Sequence, residues 1–337
     1  MPYPVWHPEQ LAARLPFLRR RALLTQATRG FFTARGYTEV ETPYAVPTPG
    51  EEVHLHAFAT RRQHTDGTVE PLWLHTSPEF AMKKLLVGGA GPIFQFARVW
   101  RNGESSDLHA PEFTMLEWYR PGASMDGLIE ETTALLHAVL PPVVTCRSVT
   151  TDLGHIERLT LAAAFARDVG ADLLATADDA PALAAAAGVG LRNNETWEDL
   201  FFRLLLARVE PHIGRAHPTF LTHWPAAQAA LARHDPTDPR VAERFELFVC
   251  GIELANAFVE LTDAEEQRAR FEADRSRRQQ LARADPSATS DQDWPLDEEF
   301  LAALTHGMPP AAGIALGFDR LAMIAAGADR IDQVLWL

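Results

Sequence analysis

Residues 94–120 read FQFARVWRNGESSDLHAPEFTMLEWYR, and this stretch decides the fold. Two runs rich in apolar and aromatic residues flank a polar segment, Asn102 to Ala110, which holds a glycine, two serines and several charges. That pattern is typical of two antiparallel strands joined by a long loop. The stretch is therefore predicted to be a hairpin.

The hairpin has one face on which a binding site could form. Because successive strand residues point to opposite faces, one face of the second strand carries Phe113, Met115, Glu117 and Tyr119. Arg101 closes the first strand and faces the same neighbourhood, where its guanidinium could hold a carboxylate or a phosphate with two parallel hydrogen bonds. Such a face suits a nucleotide beside an ammonium group. Taken alone, these residues also match an ordinary hairpin with solvated charges.

A second segment, residues 240–261, reads RVAERFELFVCGIELANAFVEL. Glu246 and Glu253 lie on either side of a glycine, and Asn256 and Glu260 share one face of the second predicted strand. Burying acidic side chains among apolar ones is costly unless they bind cations. The candidate cations are magnesium on a nucleotide and an ammonium group. An exposed sheet face is the other interpretation, and it explains the asparagine and the glutamates less easily.

A third segment, residues 308–325, reads MPPAAGIALGFDRLAMIA. It predicts a short apolar strand, then Gly317, then a helix that Asp319 caps and that carries Arg320 in its first turn. A helix N-terminus after a glycine is a natural phosphate site, and the arginine adds a permanent charge. The segment therefore favours a phosphate ligand.

The remaining segments supply the scaffold. Residues 7–35 predict a long amphipathic helix, followed by a short strand at 37–43. The string HTSPE at 75–79 predicts a helix N-terminus, and the helix is expected over 79–87, ending at a pair of glycines.

Residues 121–235 are rich in alanine and are interrupted by prolines and glycines. They predict short helices, which we interpret as a helical insertion beside the sheet of a single domain spanning 1–337. A polar loop is predicted at 284–295.

Composition limits the classes of function. The chain has 337 residues with 47% hydrophobic and 23% charged residues, which is ordinary for a folded protein. Its net charge of −14 disfavours broad tRNA binding by this chain alone. Two distant cysteines, no long apolar run and no signal-peptide pattern lead us to expect a cytoplasmic protein without a membrane anchor.

The segments resemble the three motifs of class II aminoacyl-tRNA synthetases in the right order. Residues 7–43 resemble motif 1, the hairpin resembles motif 2, and Gly-x-Asp-Arg at 317–320 resembles motif 3. The sequence PEFTMLEWYRP at 111–121 is similar to the corresponding sequence of the lysyl branch, and most similar to that of the stand-alone elongation factor P lysine ligases. The resemblance implies an α+β fold with an antiparallel sheet flanked by helices, and a homodimer formed through motif 1. About thirty-five residues precede the short strand of motif 1, too few for an anticodon-binding domain, so we expect none.

The resemblance also implies the site residues. The expected catalytic residues are Arg101 and Arg320. The expected ATP-binding residues are Arg101, Asn102, Gly103, Glu104, His109, Ala110, Phe113, Glu246, Leu247, Gly317 and Arg320. The expected substrate-binding residues are Ser77, Pro78, Glu79, Glu117, Tyr119, Glu253, Asn256, Glu260 and Ala315. The expected ligands of Mg²⁺ are Glu246 and Glu253.

The family chemistry implies ATP-dependent formation of an acyl-adenylate, followed by transfer of the acyl group to a lysine of elongation factor P. The implied amino acid is (R)-β-lysine, or α-lysine as a poorer substitute. Ala315 stands where lysyl-tRNA synthetases generally have glycine, and its methyl group would crowd an α-amino group. One such methyl gives discrimination of about 1 to 3 kcal/mol.

Two positions depart from the family pattern. The usual Arg-x-Glu is Arg101-Asn102-Gly103 here, with Glu104 one place later, and the usual asparagine after the loop histidine is Ala110. Our hypothesis is that the loop shifts by one residue, so that Glu104 takes the adenine-binding role while Gly103 and Ala110 contribute only backbone groups.

Three interpretations remain at this point. The first is the elongation factor P ligase. The second is a truncated lysyl-tRNA synthetase or another amide-forming relative. The third is a non-catalytic class II paralogue that binds a metabolite and regulates another protein, which the retention of Arg101, Glu246, Glu253 and Arg320 disfavours.

Overall fold

The computed structural model describes residues 4–284 and 293–337. The helices in these residues are α1 (Pro8–Thr33), α2 (Glu79–Val87), α3 (Met125–Val139), α4 (Leu161–Asp168), α5 (Ala180–Ala187), α6 (Trp197–Leu204), α7 (Ala264–Ala284), α8 (Glu298–Gly307) and α9 (Phe318–Ala326). The strands are β1 (Thr38–Glu39), β2 (Ala45–Val46), β3 (Phe58–Gln63), β4 (Val69–Leu74), β5 (Ile93–Trp100), β6 (Glu112–Pro121), β7 (Val143–Cys146), β8 (Val149–Asp152), β9 (Glu157–Thr160), β10 (Thr219–Pro225), β11 (Val241–Val249), β12 (Ile252–Val259) and β13 (Ala311–Gly317).

An eight-stranded sheet forms the centre of the molecule, in the order β1-β5-β6-β13-β12-β11-β10-β9. All neighbouring pairs from β5 to β10 in that order are antiparallel. The edge strands β1 and β9 each pair in parallel with their neighbour. The predicted α+β fold with an antiparallel sheet flanked by helices is confirmed, and the strand expected at 37–43 is only β1.

The predicted hairpin forms as β5 and β6, with Ile93 opposite Tyr119 and Trp100 opposite Glu112. Strand β13 pairs with the other side of β6, where Ala315 lies opposite Glu117. The two segments that the sequence singled out are therefore neighbours in the sheet. Strand β12 pairs with the other side of β13, so β6, β13 and β12 are consecutive strands of the sheet.

Successive side chains of a strand point to opposite faces of the sheet, and in this sheet both faces carry apolar side chains. Helices therefore pack on both faces. On one face, Phe32 of α1 stacks on Phe94 with ring centroids 4.9 Å apart. On the other face, Phe80 of α2 stacks on Phe300 of α8 with centroids 4.7 Å apart. The odd-numbered residues of β6 point towards the second face.

The expectation of a helical insertion over 121–235 is wrong for much of that range. Helix α3 packs in the main core, β7 and β8 form a small hairpin, and β9 and β10 belong to the central sheet. Only the part around α4, α5 and α6 builds a separate apolar cluster. The error has a physical reason: β10 is buried at nearly every position, and its sequence, TFLTHWP, lacks the alternation of apolar and polar residues that identifies a strand.

Most of the polar loop predicted at 284–295 lies outside the described residues. In the part of the chain that the structure does describe, none of the helices has the length and apolar character needed to cross a membrane.

Candidate active site

One cavity of about 420 Å³ collects side chains from all three sequence segments. The predicted site residues that line it are Ser77, Glu79, Arg101, Glu104, His109, Ala110, Phe113, Glu246, Glu253, Asn256, Ala315, Gly317 and Arg320. Arg101 and Arg320 therefore face the same space although they lie far apart in sequence. We call the region of Arg101, His109 and Arg320 the arginine end of the cavity.

Arg101 reaches the cavity as a cation without an acidic partner in the described residues. Its backbone N–H donates to Pro111 O at 2.9 Å, which fixes the start of the loop. The guanidinium carbon lies 5.3 Å from the centre of the Phe113 ring, and Nε is buried with no hydrogen-bond partner in the described part of the chain. A buried donor of this kind is costly unless a ligand accepts from it. Arg101 is thus available for an anion.

Arg320 is held in place by two backbone carbonyls, by His109 and by the Glu253 carboxylate, which lies 3.6 Å from Nη1. It donates to Glu253 O at 2.7 Å, to Leu108 O at 3.3 Å and to His109 Nε2 at 2.5 Å. Because arginine can only donate, His109 must accept through Nε2, and its Nδ1–H can donate to Ser106 Oγ at 2.8 Å. Burial and the charge of Arg320 both lower the pKa of His109, which keeps the ring neutral. Arg320 therefore has one acidic partner in the described residues, the partly exposed Glu253 carboxylate, and its guanidinium lines the cavity, where it can also attract an anion.

The residue before Arg320 corrects a sequence expectation. Gly317, not Asp319, is the N-cap of α9. The buried Asp319 carboxylate instead contacts Arg21 of α1, and it accepts from Thr114 N at 3.0 Å. Arg21 also donates to Thr114 Oγ1 at 2.9 Å. Since Arg21 and Asp319 are 298 residues apart, no local spacing could have predicted this link between α1, β6 and α9.

Glu246 and Glu253 lie on β11 and β12, on either side of a β-bulge. Glu246 is opposite Asn256, the register shifts between Leu247 and Phe248, and Glu253 is opposite Phe248. Bulges commonly re-aim side chains next to active sites. Burial raises the pKa of Glu246 to about 8, and the charge of Glu253 contributes to the rise.

This carboxylate pair fits magnesium that arrives with a nucleotide. Among the described residues there is no group of three or more potential metal ligands of the His, Cys, Asp or Glu type. Mg²⁺ usually binds one or two carboxylates and takes its other ligands from phosphates and water. The raised pKa of Glu246 is a cost that a divalent cation would remove.

Sequence reasoning missed Arg244, which also lines the cavity. It donates to Glu246 Oε1 at 2.6 Å and to Asn256 Oδ1 at 3.1 Å, and it lies over the Trp224 ring at 3.9 Å. The signal was present, because Arg244 precedes Glu246 by two residues on the same strand and must share its face. Arg244 holds two of the predicted ligand-binding side chains in place.

The opposite region, which we call the carboxylate end, contains Ser77, Glu79, Glu117, Tyr119 and Glu260. Ser77 Oγ donates to Glu117 at 2.8 Å, and the Tyr119 hydroxyl donates to the other Glu117 oxygen at 2.6 Å. Burial raises the pKa of Glu117 to about 8, and the charge of Glu79 adds to the rise. Ser77 and Glu79 line the cavity, while Glu117, Tyr119 and Glu260 lie buried behind its wall.

Lys83 is the second residue that sequence reasoning missed. Its Nζ lies 2.5 Å from Glu79 Oε1 and 2.5 Å from Glu260 Oε2, and the side chain is 0% exposed. Burial alone would lower the pKa of Lys83, but the charges of Glu260 and Glu79 raise it above its ordinary value. The spacing of Glu79 and Lys83 at i,i+4 on α2 was a usable signal. Two of the predicted ammonium-binding carboxylates therefore have an internal counter-charge.

Two small residues of β13 shape the carboxylate end. A Cβ on Gly313 would lie 2.2 Å from the Tyr119 ring and 2.6 Å from Glu260 Oε1, so only glycine leaves room for both. Ala315 lies between Glu117 on β6 and Asn256 on β12 and lines the cavity. Its methyl group therefore borders the space between the two ends.

Besides Glu117, Tyr119 and Glu260, four predicted residues do not line the cavity. Pro78 is the N-cap of α2. Asn102 donates its backbone N–H to His56 O at 2.7 Å, and Gly103 adopts a positive φ of 84° in the loop. Leu247 is fully buried in the main core.

Comparisons with known proteins identify the family of the chain. The sequence model of the family described as tRNA synthetases class II (D, K and N) matches residues 12–337. A curated protein from Klebsiella pneumoniae, named elongation factor P–(R)-β-lysine ligase, is 45% identical over 98% of this chain and 96% of the relative. Proteins of the same name from Pectobacterium carotovorum and Hamiltonella defensa are 45% and 43% identical, each over 98% of this chain and 96% of the relative.

Proposed function

Because the chain belongs to the class II tRNA synthetases of the D, K and N type, and within them to the elongation factor P–(R)-β-lysine ligases, we propose that it activates (R)-β-lysine with ATP and attaches it to a lysine side chain of elongation factor P. α-Lysine is the poorer substrate of the same site. The observation that carries this proposal is the meeting of Arg101, Arg320 and the acidic residues on one cavity.

The first step joins the amino acid to AMP. Its carboxylate attacks the α-phosphorus of ATP, a P–O bond forms, and the bond to the pyrophosphate leaving group breaks. The carboxylate is already ionised near neutral pH, so the step needs no protein base. Catalysis then depends on positioning and on stabilising charge on the phosphates.

The arginine end supplies this stabilisation. Arg101, whose guanidinium has no acidic partner in the described residues, would hold the carboxylate and the α-phosphate. Arg320 would hold the γ-phosphate from its place in the first turn of α9. Phe113 would offer an aromatic surface for adenine, and Glu104, which also lines the cavity, would bind adenine under the hypothesis of a one-residue loop shift.

Glu246 and Glu253 would hold Mg²⁺ together with the phosphates of ATP. Magnesium neutralises phosphate charge when it is bound. In its absence Arg244 is the partner of Glu246, and the 2.6 Å contact between them keeps the carboxylate oriented towards the cavity.

The carboxylate end would bind the ammonium groups of the amino acid. Glu79 faces the cavity, and Glu117 and Tyr119 lie behind it with Ser77 between them and the open space. The methyl group of Ala315 would crowd an amino group on the α-carbon more than one on the β-carbon. This is our reason for placing (R)-β-lysine before α-lysine.

In the second step the amine of an acceptor lysine attacks the carbonyl carbon of the adenylate. A C–N bond forms, the C–O bond to AMP breaks, and the amine releases a proton to water. The proposal includes a homodimer formed through α1 and β1 and a cytoplasmic location, where the buried Cys146 and Cys250 stay as thiols.

The test measures the acceptor directly. The protein is incubated with ATP, Mg²⁺ and (R)-β-lysine, once with elongation factor P and once with tRNA, and products are measured by mass spectrometry and acid precipitation. We expect elongation factor P to gain the mass of one lysyl group and tRNA to remain uncharged. Charging of tRNA without modification of the factor would reject the acceptor, and a lack of amino-acid-dependent pyrophosphate exchange would reject the enzyme.

A further inference from the structure

The loop between β2 and β3 is fixed at both of its ends against the site. At one end, Thr76 donates to Pro49 O from its backbone N at 3.2 Å and from its hydroxyl at 2.9 Å. At the other end, Asn102 donates its backbone N–H to His56 O at 2.7 Å. Thr76 directly precedes Ser77 of the carboxylate end, and Asn102 directly follows Arg101. The loop therefore spans the cavity from one end to the other.

The first residues of this loop are tied to the protein on the side away from the cavity. Gly50 O accepts from Trp294 Nε1 at 2.7 Å. Glu51 pairs with Arg278 of α7 at 3.1 Å, and both side chains are buried. The next residue, Glu52, lines the cavity, and its side chain is exposed there. No hydrogen bond or ion pair from the described residues engages its carboxylate.

Charged groups from both ends of the cavity surround Glu52. The charges that act on its carboxylate are those of Arg101, Arg244, Glu79 and Glu104. The carboxylate therefore lies within electrostatic reach of both Arg101 and Glu79. Such a group is stabilised when a cation enters the space between them.

We propose that Glu52 binds the amino group of the substrate that is nearer to its carboxylate, and that this contact determines selectivity among amino acids. The inference rests on the proposed function. A β-amino group is only two carbons from the carboxylate that Arg101 would hold, so it must enter a region of positive charge. Glu79 and Glu260 already share Lys83. Glu52 lines the same cavity as Arg101 and lies within its electrostatic reach, so its carboxylate can offset this repulsion.

The test is a double-mutant cycle with one change in the protein and one in the substrate. Wild type and Glu52→Gln are compared with (R)-β-lysine and with 6-aminohexanoate, which keeps the terminal amino group and lacks the other. Activation of β-lysine is followed by pyrophosphate exchange, and 6-aminohexanoate is assayed as a competitive inhibitor. For β-lysine we expect kcat/KM to fall about 10- to 100-fold, as for loss of a hydrogen bond to a charged group. The inhibition constant of 6-aminohexanoate should change less than about threefold, because it lacks the partner.

Equal losses for the two compounds would overturn the inference, because they would mean that Glu52 acts on the whole site. Glu52→Asp keeps the charge and should recover part of the activity towards β-lysine. Glu51→Gln is the matched control: it should lower stability through the lost pair with Arg278 and leave the ratio between the two compounds unchanged. A wild-type protein without exchange would overturn the proposed function and this inference together.

Discussion

The charged side chains at the two ends of the cavity differ in how far other side chains of the protein pair with them. At the arginine end, Arg101 has no acidic partner in the described residues, and Arg320 is held by a neutral histidine, by backbone carbonyls and by the partly exposed Glu253 carboxylate at 3.6 Å. At the carboxylate end, Lys83 is fully buried between Glu79 and Glu260. One end leaves its charge for a ligand, and the other neutralises much of its charge internally.

The difference follows from burial. The arginine end is open to the cavity, so water can solvate its cations before a ligand arrives. The acids of the carboxylate end lie largely behind the wall, where an unpaired charge would be very costly. We therefore expect substitutions at the carboxylate end to affect stability first, and substitutions at the arginine end to affect activity with little change in stability.

The largest effect is expected for Lys83→Met. It would leave the carboxylates of Glu79 and Glu260 without their counter-charge, and breaking a buried pair in this way costs about 3–5 kcal/mol. Urea denaturation measures the free energy of unfolding. Lys84→Met removes the neighbouring lysine, which pairs with Asp297 and Glu299 nearer the surface, and should cost less than about 1 kcal/mol. Equal losses in the two variants would remove the basis of the comparison.

Arg101→Ala should lower activity strongly and leave stability nearly unchanged, the reverse of Lys83→Met. We expect kcat/KM for pyrophosphate exchange to fall about 10²- to 10³-fold, as when a preorganised donor to transition-state charge is removed. The free energy of unfolding should stay within about 0.5 kcal/mol of wild type, because no internal ion pair is lost. Arg98→Ala, on the exposed side of β5, is the control and should leave exchange unchanged. A loss of stability as large as that of Lys83→Met would contradict the prediction.

Glu117→Gln tests the carboxylate end by pH. The pKa of Glu117 is raised to about 8 in the folded protein, so the group favours folding below its unfolded pKa and this contribution is lost as pH rises towards 8. Glutamine does not titrate. Without amino acid, the stability of the variant relative to wild type should therefore increase by about 2 kcal/mol between pH 5 and pH 9.

Urea denaturation at several pH values measures this change. Glu112→Gln replaces an exposed carboxylate on the same strand and should produce no comparable trend. A flat difference between Glu117→Gln and wild type across the pH range would mean that Glu117 is solvated.

Ala315→Gly tests the space between the two ends. Removing the methyl group should raise the ratio of kcat/KM for α-lysine over (R)-β-lysine about tenfold, or about 1.4 kcal/mol. Both values come from pyrophosphate exchange. Ala312→Gly lies on the same strand, faces the main core and should change stability while the ratio stays constant. An unchanged ratio in Ala315→Gly would assign the preference to other residues.

The smallest effect is expected for Glu104→Ala. If Glu104 contributes one hydrogen bond to adenine, its loss should raise the KM for ATP about fivefold, or about 1 kcal/mol. The KM for the amino acid should stay constant. Asp107→Ala, in the same loop but facing Arg147 and Arg330 at the surface, is the control. An unchanged KM for ATP in Glu104→Ala would show that the hypothesis of a one-residue loop shift is wrong.

The sequence predicted the arginine end better than the carboxylate end. Arg101 and Arg320 each stand at the end of a strand or the start of a helix, where local patterns are informative. Lys83 and Arg244 carried usable signals, an i,i+4 pair on α2 and a two-residue period on β11, but each signal is weak without its partner. Glu52 lies in a loop and had no pattern that could identify it.

The sequence by itself determined the hairpin β5–β6, the long helix α1 and the start of α9 after a glycine, because periodicity and turn chemistry act over a few residues. Only the tertiary structure decided that Lys83 neutralises Glu260, that Arg21 binds Asp319 and that β9 and β10 join the central sheet. These contacts depend on strand order and register, and a shift of one residue would move each side chain to the other face of the sheet. No local sequence pattern specifies the strand order or the register.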